Sequence, residues 1–270
     1  MIDANRKDTL TDWIAKVPAI TLGFWIIKIL ATTLGEIGGD AVTMSWLGET
    51  TPNASATAWH PGYLIGTGIF AAVFAAAVAL QIRTPRFNRW LYWFAIVAST
   101  TVGTTLADFA DRSLGIGYTG GSTLLLALLL ATLFTWYRST GTIAVDSVRD
   151  TRSELFYWLT ITFSQTLGTA LGDWVADTQG LGYTGGMAIF GGLLLLVAFL
   201  YFTTKISRTA LFWSAFVLTR PLGAVVGDFM DKPHAKGGLE LSRYSGSLAL
   251  LAAIVLCILI FPQRAATKAH

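Results

Sequence analysis

A tryptophan followed ten residues later by a glycine, and five residues after that by an aspartate, occurs four times in the chain: Trp25, Gly35, Asp40; Trp93, Gly103, Asp108; Trp158, Gly168, Asp173; and Trp213, Gly223, Asp228. The four segments align without a gap from Phe24, Tyr92, Tyr157 and Phe212 to the aspartate, which is preceded by Gly39, Ala107, Gly172 or Gly227. A tyrosine then opens the next apolar stretch of every copy, as Tyr63, Tyr118, Tyr183 and Tyr244. Self-similarity at fixed spacing marks one supersecondary unit used repeatedly, each copy burying its apolar face on a neighbour.

The unit is a pair of membrane-length helices. A hydrocarbon core about 30 Å thick needs about 20 apolar residues at 1.5 Å each. Eight stretches qualify: Ala19–Trp46, Gly62–Ile82, Trp90–Asp111, Tyr118–Tyr137, Leu155–Ala176, Tyr183–Phe202, Leu211–Met230 and Ser245–Phe261. Of the 270 residues 53% are hydrophobic and only 13% charged, about half the ~25% charged residues of a soluble domain, which excludes a water-soluble globule and a disordered chain. The fold class expected is therefore all-α: a polytopic membrane protein whose eight transmembrane helices form four parallel two-helix repeats. A cytoplasmic segment covers 1–18, and the repeats cover 19–89, 90–154, 155–210 and 211–270 within one membrane domain.

Arg83, Arg86, Arg89, Arg138, Arg149, Arg152, Lys205 and Arg208 follow the even stretches, with Arg6, Lys7 and Lys16 at the start and Arg264 and Lys268 at the end. The opposite side has only Arg112, Lys232, Lys236 and Arg243. The positive-inside bias then puts both termini in the cytoplasm. Residues 1–18 carry Asp3, Asp8 and Asp12 among their basic residues, unlike a cleavable signal, so the first span is expected to stay in the mature protein. The net charge of +3 comes from scattered residues with no dense basic block, and nucleic acid is not an expected partner. Cys257, the only cysteine, lies in an apolar run and supplies neither a disulfide nor a metal knuckle.

Through Trp25, Trp93, Trp158 and Trp213, and over nearly its whole length, the chain resembles a bacterial family of uncharacterised membrane proteins built from four tandem repeats. Each repeat of that family has two transmembrane segments and a characteristic tryptophan. The resemblance implies a multi-pass protein of the bacterial inner membrane and brings no activity with it.

Chemistry must come from the polar residues on the odd helices. At helical spacing the first presents Thr32, Glu36 and Asp40, and the second Thr100, Thr104, Asp108 and Asp111. The third presents Gln165, Thr169, Asp173 and Asp177, and the fourth Arg220, Asp228 and Asp231. The even stretches carry almost no charge and suit lipid, so the odd helices are expected inside and the even ones outside. The small-xxx-small pairs Gly35/Gly39, Gly103/Ala107, Gly168/Gly172 and Gly223/Gly227 read as helix-packing surfaces. The aspartates lie about 22 Å along the axis from the tryptophan end, near the negative end of the helix dipole where a carboxylate is disfavoured. Arg112 serves the second copy and Lys232 the fourth; the first and third have no basic neighbour in sequence. Lys28, about a turn from the cytoplasmic end, is expected to snorkel, which leaves Arg220 the one cation at the carboxylates' depth. It is expected to pair with Glu36 across the first and last copies, as a gate or a tethered counter-ion.

Eight carboxylates, Glu36, Asp40, Asp108, Asp111, Asp173, Asp177, Asp228 and Asp231, then require protons or metal cations for compensation. Carboxylate, hydroxyl and amide oxygens without histidine or cysteine select Mg²⁺, Ca²⁺ or Mn²⁺, of which Mn²⁺ is preferred. The function expected is a transporter of a hard divalent cation coupled to protons, with Thr32, Thr100, Thr104, Gln165 and Thr169 along its polar path. The alternative is a membrane binding or scaffold protein whose aspartates bond only to the outer turns. An intramembrane enzyme ranks last, because no HExxH, GxSxG or Ser/His pair occurs. His60 and His234 read as solvated loop residues and the recurring tryptophans as a headgroup belt or packing residues. Homo-oligomerisation stays open.

Overall fold

The computed structural model describes residues 15–49 and 61–266. Among them are eight long helices: α1 (Leu22–Asp40), α2 (Pro61–Arg83), α3 (Arg89–Asp108), α4 (Tyr118–Thr140), α5 (Thr151–Asp173), α6 (Gly182–Thr203), α7 (Arg208–Asp231) and α8 (Arg243–Ile260). Short 3-10 turns cover Val145–Ser147 and His234–Lys236. Arg6, Lys7, His60 and Lys268, together with most of the N-terminal segment, lie outside the described residues.

Each odd helix starts on a side chain that caps it. Thr21 accepts from the Phe24 amide (3.2 Å), Asn88 from those of Trp90 and Leu91 (3.0 and 3.2 Å), Asp150 from that of Ser153 (3.0 Å) and Ser207 from that of Ala210 (3.4 Å). Such caps satisfy amides that have no partner inside the helix. Of the even helices, α4 starts after Gly117 and α6 starts on Gly182, with φ of +76° and +65°, a region that glycine enters without a Cβ penalty. At the far end α1, α3 and α5 run on past their aspartates as π-helical turns over Ala41–Trp46, Phe109–Ser113 and Trp174–Thr178. α7 has no such turn. Lys232 precedes Pro233 and leaves the helix extended, at φ −74° and ψ 154°, because a proline disfavours helix at the residue before it.

The same bonds govern the titration of Asp150, which lies just before α5. Partial burial alone would raise its pKa, but the Ser153 amide and hydroxyl outweigh it and hold the carboxyl below its ordinary value. The cap's contribution is thus present above the unfolded pKa of about 3.9 and is lost as pH falls through the lower native value. Asp150→Ala is expected to cost about 1 kcal/mol at pH 7 and progressively less toward pH 2, checked by thermal unfolding in detergent at the two pH values.

The odd helices pack in a closed cycle: α1 on α3, α3 on α5, α5 on α7 and α7 on α1. The even helix of each repeat packs chiefly on the odd helix of the following repeat: α2 on α3, α4 on α5, α6 on α7 and α8 on α1. Two kinds of contact recur around the cycle. Near the helix starts Phe24 meets Trp93 (5.5 Å between centroids), Tyr92 meets Trp158 (6.0 Å), Tyr157 meets Trp213 (6.1 Å) and Phe212 meets Trp25 (5.8 Å). Ten residues further on, each repeated glycine receives a polar residue of the next repeat: Gly35 receives Thr100, Gly103 Gln165, Gly168 Arg220 and Gly223 Thr32. A Cβ on Gly103 would lie 2.8 Å from Gln165 Cβ, and on the other three it would overlap the neighbouring side chain. The glycines are therefore packing sites, as their spacing suggested.

Trp93, Trp158 and Trp213 are buried and Trp25 half-buried. The recurring tryptophan thus packs the odd helices together. Trp93 Nε1 donates to Gln263 Oε1 (3.0 Å) and Trp213 Nε1 to the Ile143 carbonyl (2.9 Å). Chain ends meet beside this layer, where Pro18 and Ala265 form an antiparallel bridge, Ala19 N donates to Arg264 O (2.8 Å) and Ala266 N to Val17 O (2.9 Å).

Seven of these helices are long and apolar enough to cross a membrane, so the chain is a multi-pass helical membrane protein with an internal repeat. The helix expected as an eighth span, α5, has the length, at 23 residues, but misses in apolarity. Thr160, Thr162, Ser164, Gln165, Thr166 and Thr169 crowd its middle, and every one except Thr162 is buried. In the most apolar stretches of α1, α3 and α7, 67%, 72% and 61% of residues are buried, against 17%, 22%, 11% and 17% in α2, α4, α6 and α8.

Candidate functional site

The polar residues of the odd helices lie in layers. Deepest toward the aromatic end is Lys28, completely buried, with Nζ 3.5 Å from Gln165 Oε1 and 4.1 Å from the centre of the Phe216 ring. Gln165 in turn donates to Ser99 Oγ at 3.4 Å. The snorkelling expected of Lys28 does not occur: α1 turns this face toward α5 and α7, and the side chain is enclosed before it could reach an interface.

Arg220 forms the next layer. Its Nη2 donates to Glu36 Oε2 at 2.9 Å and to the hydroxyls of Thr104 and Thr169, while Nη1 donates to the Thr32 carbonyl at 3.2 Å. One guanidinium thereby ties together all four odd helices, and the expected pairing with Glu36 is present. Thr104 also reaches Glu36 Oε2 at 3.2 Å. Pro221 follows directly and removes one amide from the helical ladder, while Thr32 Oγ1 bonds the Thr219 carbonyl nearby, at 3.1 Å.

Above Arg220 the aspartates divide into two groups. Lys232 Nζ bonds Asp40 Oδ2, lies 3.0 Å from Asp228 Oδ1 and 3.8 Å from Asp231 Oδ2, and contacts Met44 Sδ at 3.8 Å. Arg112 Nε lies 2.8 Å from Asp108 Oδ1, and its Nη2 is 3.7 Å from Asp173 Oδ2. The expectation that the first and third repeats lack a basic partner is corrected by this geometry. Each cation reaches its own aspartate four residues back and the aspartate of the following repeat in the cycle, so Lys232 serves Asp40 and Arg112 serves Asp173. For the same reason Arg220 is not the one cation at the carboxylates' depth. The sequence places Arg112 and Lys232 at equivalent repeat positions, four residues after Asp108 and Asp228, which accounts for the bond to each cation's own aspartate but not for the one to the next repeat.

Several expected site residues lie apart from these two groups or at their edge. Asp177 is exposed; it occupies the repeat position of Arg112 and Lys232, and an acid brought there beside Asp173 would be buried without compensation. Asp111 is half-buried in a π-helical turn and sits against Gly121, where a Cβ would lie 3.0 Å from its Oδ1. Asp231 is buried and bonded by Arg243, which also reaches Ser45 Oγ at 3.1 Å. Thr100 lies buried in the layer beside Gly35. Exposed His234 bonds the Gly238 carbonyl through Nδ1 (2.9 Å).

The densest acidic point joins the first and last repeats. Glu36, Asp40 and Asp228 each bring a carboxylate oxygen within 4.8 Å of the other two, and all three are buried. Asp40 Oδ1 has no hydrogen-bond partner although its residue is fully enclosed. Ca²⁺ holds oxygens at about 2.3–2.6 Å, so two of them stand as far as about 5 Å apart across the ion. The three oxygens are therefore close enough together to ligate one hard cation. Glu36 is the member that the other repeats lack: Thr104, Thr169 and Ala224 stand in its place.

No curated protein and no solved structure matches the chain. A repeat family described as a repeat of unknown function, DUF347, matches it at residues 23–87, 91–142, 156–207 and 211–264. Those four blocks each begin just before a recurring tryptophan and contain its glycine and aspartate. The chain is thus a member of the DUF347 repeat family, carrying four tandem copies.

Proposed function

We propose that this protein is a membrane transporter of a hard divalent cation, Mn²⁺ before Ca²⁺ or Mg²⁺, exchanged for protons at Glu36, Asp40 and Asp228. The observation that carries the reading is the buried convergence of these three carboxylates from α1 and α7. Groups placed in a membrane interior at such cost ordinarily have something to bind. Buried Glu36, Asp40, Asp108, Asp173, Asp228 and Asp231 outnumber the Arg112, Arg220, Lys232 and Arg243 that touch them, which leaves negative charge for a proton or a metal ion to neutralise. Their side chains are oxygen donors without histidine or cysteine, a set that prefers hard ions.

In this reading the repeats are parallel, the odd helices surround an axis along the membrane normal, and the even helices face lipid. Both termini are cytoplasmic in a bacterial inner membrane. Arg220 is the fixed counter-charge below the site, and Thr32, Thr104 and Thr169 around it line the polar path.

Proteoliposomes loaded with a Mn²⁺-sensitive fluorophore test the proposal. Mn²⁺ entry is expected to respond to a pH gradient and to fall at least tenfold in an Asp40→Asn, Asp228→Asn double variant. Unchanged entry in a folded double variant would eliminate it. One observation favours the scaffold alternative: Lys232 and Arg220 already engage the three carboxylates. Under that alternative no divalent ion raises the melting temperature, whereas a metal site is stabilised by mass action.

A further inference from the structure

Lys232 differs from the other cations in how it enters the carboxylate cluster. Arg220 is carried in the middle of α7, and Arg112 is held in the π-helical turn that continues α3. Lys232 is outside its helix: α7 ends at Asp231, and Pro233 holds Lys232 extended. The following loop folds back on the helix end, with Leu239 N donating to Phe229 O (2.7 Å), Glu240 N to Lys232 O (3.0 Å) and Leu241 N to Met230 O (2.8 Å). Its turn needs Gly237 at φ +83°, and Glu240 at φ +53° is the one non-glycine with positive φ among the described residues. The buried ammonium is thus carried at the junction of α7 and a surface loop: Lys232 N still donates to Asp228 O (2.9 Å), while the three loop bonds can open without unwinding the helix.

That ammonium lies between Asp40 and Asp228, two of the three carboxylates that converge with Glu36. Asp40 binds it through Oδ2 only, and the enclosed Oδ1 stays without a hydrogen bond. A monovalent donor therefore leaves ligand capacity unused where a divalent ion would engage more oxygens. At the same repeat position the first repeat has Met44, which is neutral, and the third has the solvent-facing Asp177.

We propose that Lys232 is a tethered stand-in for the transported cation: it occupies the carboxylate site when no ion is bound and leaves with the 232–241 loop when a divalent ion takes its place. The inference rests on the transport reading above and assigns Lys232 as the residue that sets the site's affinity. An inorganic cation must displace a bonded ammonium, so its apparent affinity is lowered by the cost of that displacement.

The test is Mn²⁺ titration of the purified full chain in detergent, followed by electron paramagnetic resonance. Lys232→Met, which places the first repeat's residue in the fourth, is expected to bind Mn²⁺ at least tenfold more tightly than the wild type. Lys232→Arg is expected to keep wild-type or weaker affinity, and adding Asp40→Asn to Lys232→Met should remove the gain. Equal affinity in the wild type and Lys232→Met, with binding still lost in Asp40→Asn, overturns the stand-in role and leaves the transport reading intact. Absence of Mn²⁺ and Ca²⁺ binding in both overturns the two together. A readout on the wild type alone keeps the inference testable if Lys232→Met does not fold. Saturating Mn²⁺ should increase labelling of Lys232 by an amine-reactive reagent, measured by mass spectrometry, and unchanged labelling refutes the displacement.

Discussion

Replacing Arg220 by methionine is expected to destabilise the protein by about 3–5 kcal/mol, the loss that follows when one partner of a buried ion pair is removed. Methionine fills much of the same volume, so the deficit arises chiefly from charge and hydrogen bonding. Glu36 would keep only the Thr104 hydroxyl at 3.2 Å, while Thr169 and the Thr32 carbonyl would lose a donor. Glu36→Gln in the Arg220→Met background should restore part of the loss, because the stranded charge disappears even though the bonds do not return. Thermal unfolding of the four proteins of this double-mutant cycle, followed by tryptophan fluorescence in detergent, gives the coupling directly. A cost below about 1 kcal/mol for Arg220→Met would place the pair among those that contribute little.

A second large effect is expected at Gly168. A Cβ there would overlap Arg220 and lie 3.0 Å from Pro221 Cδ, and the proline ring cannot swing aside. Gly168→Val must therefore separate α5 from α7, and with them the cycle of odd helices. Overpacking alone ordinarily costs about 1–3 kcal/mol; here it also pulls Arg220 from Thr169 and Glu36, so the expected outcome is loss of the monodisperse folded species in size-exclusion chromatography. Gly68→Val in α2 is the matched control, since a Cβ at Gly68 meets nothing within 4 Å. Equal damage from both substitutions would show that helix propensity, and not close approach, governs these glycines.

The helices, their number and the packing role of the glycines were legible because each depends on local spacing. Four copies of tryptophan, glycine and aspartate also located the layers, since equal spacing from Trp25, Trp93, Trp158 and Trp213 puts equivalent residues at equal depth. The pairing of Arg220 with Glu36 was legible too, as two departures from the repeat pattern in copies that close on one another. What the sequence hid was the direction in which the copies meet. Whether Arg112 neutralises Asp108 alone or also Asp173 depends on which flank of α3 faces α5, and spacing along one helix is silent about that. Lys28 was misread because its distance from the helix end suggested an escape to the interface, whereas the lateral packing of three helices decided its burial. The exposure of Asp177 was hidden for a related reason: its repeat position faces the aspartate cluster when it carries Arg112 or Lys232, whereas an acid there would be buried beside Asp173 without compensation.

The order of packing has a consequence for how such a molecule is bounded. Because α2 leans on α3 and α8 on α1, the two helices contiguous in each copy are not the pair that shares the most surface, and no copy encloses itself. Every seam between copies is of the same kind, including the one between the last and the first, where Pro18 and Ala265 form their antiparallel bridge. The polypeptide is in effect a hoop with a single covalent opening, and three of its four joints are peptide linkers while the fourth is held by side chains and a few main-chain bonds. The proposed ion site straddles that fourth joint, so the place where the hoop is open in sequence is also where its chemistry is concentrated.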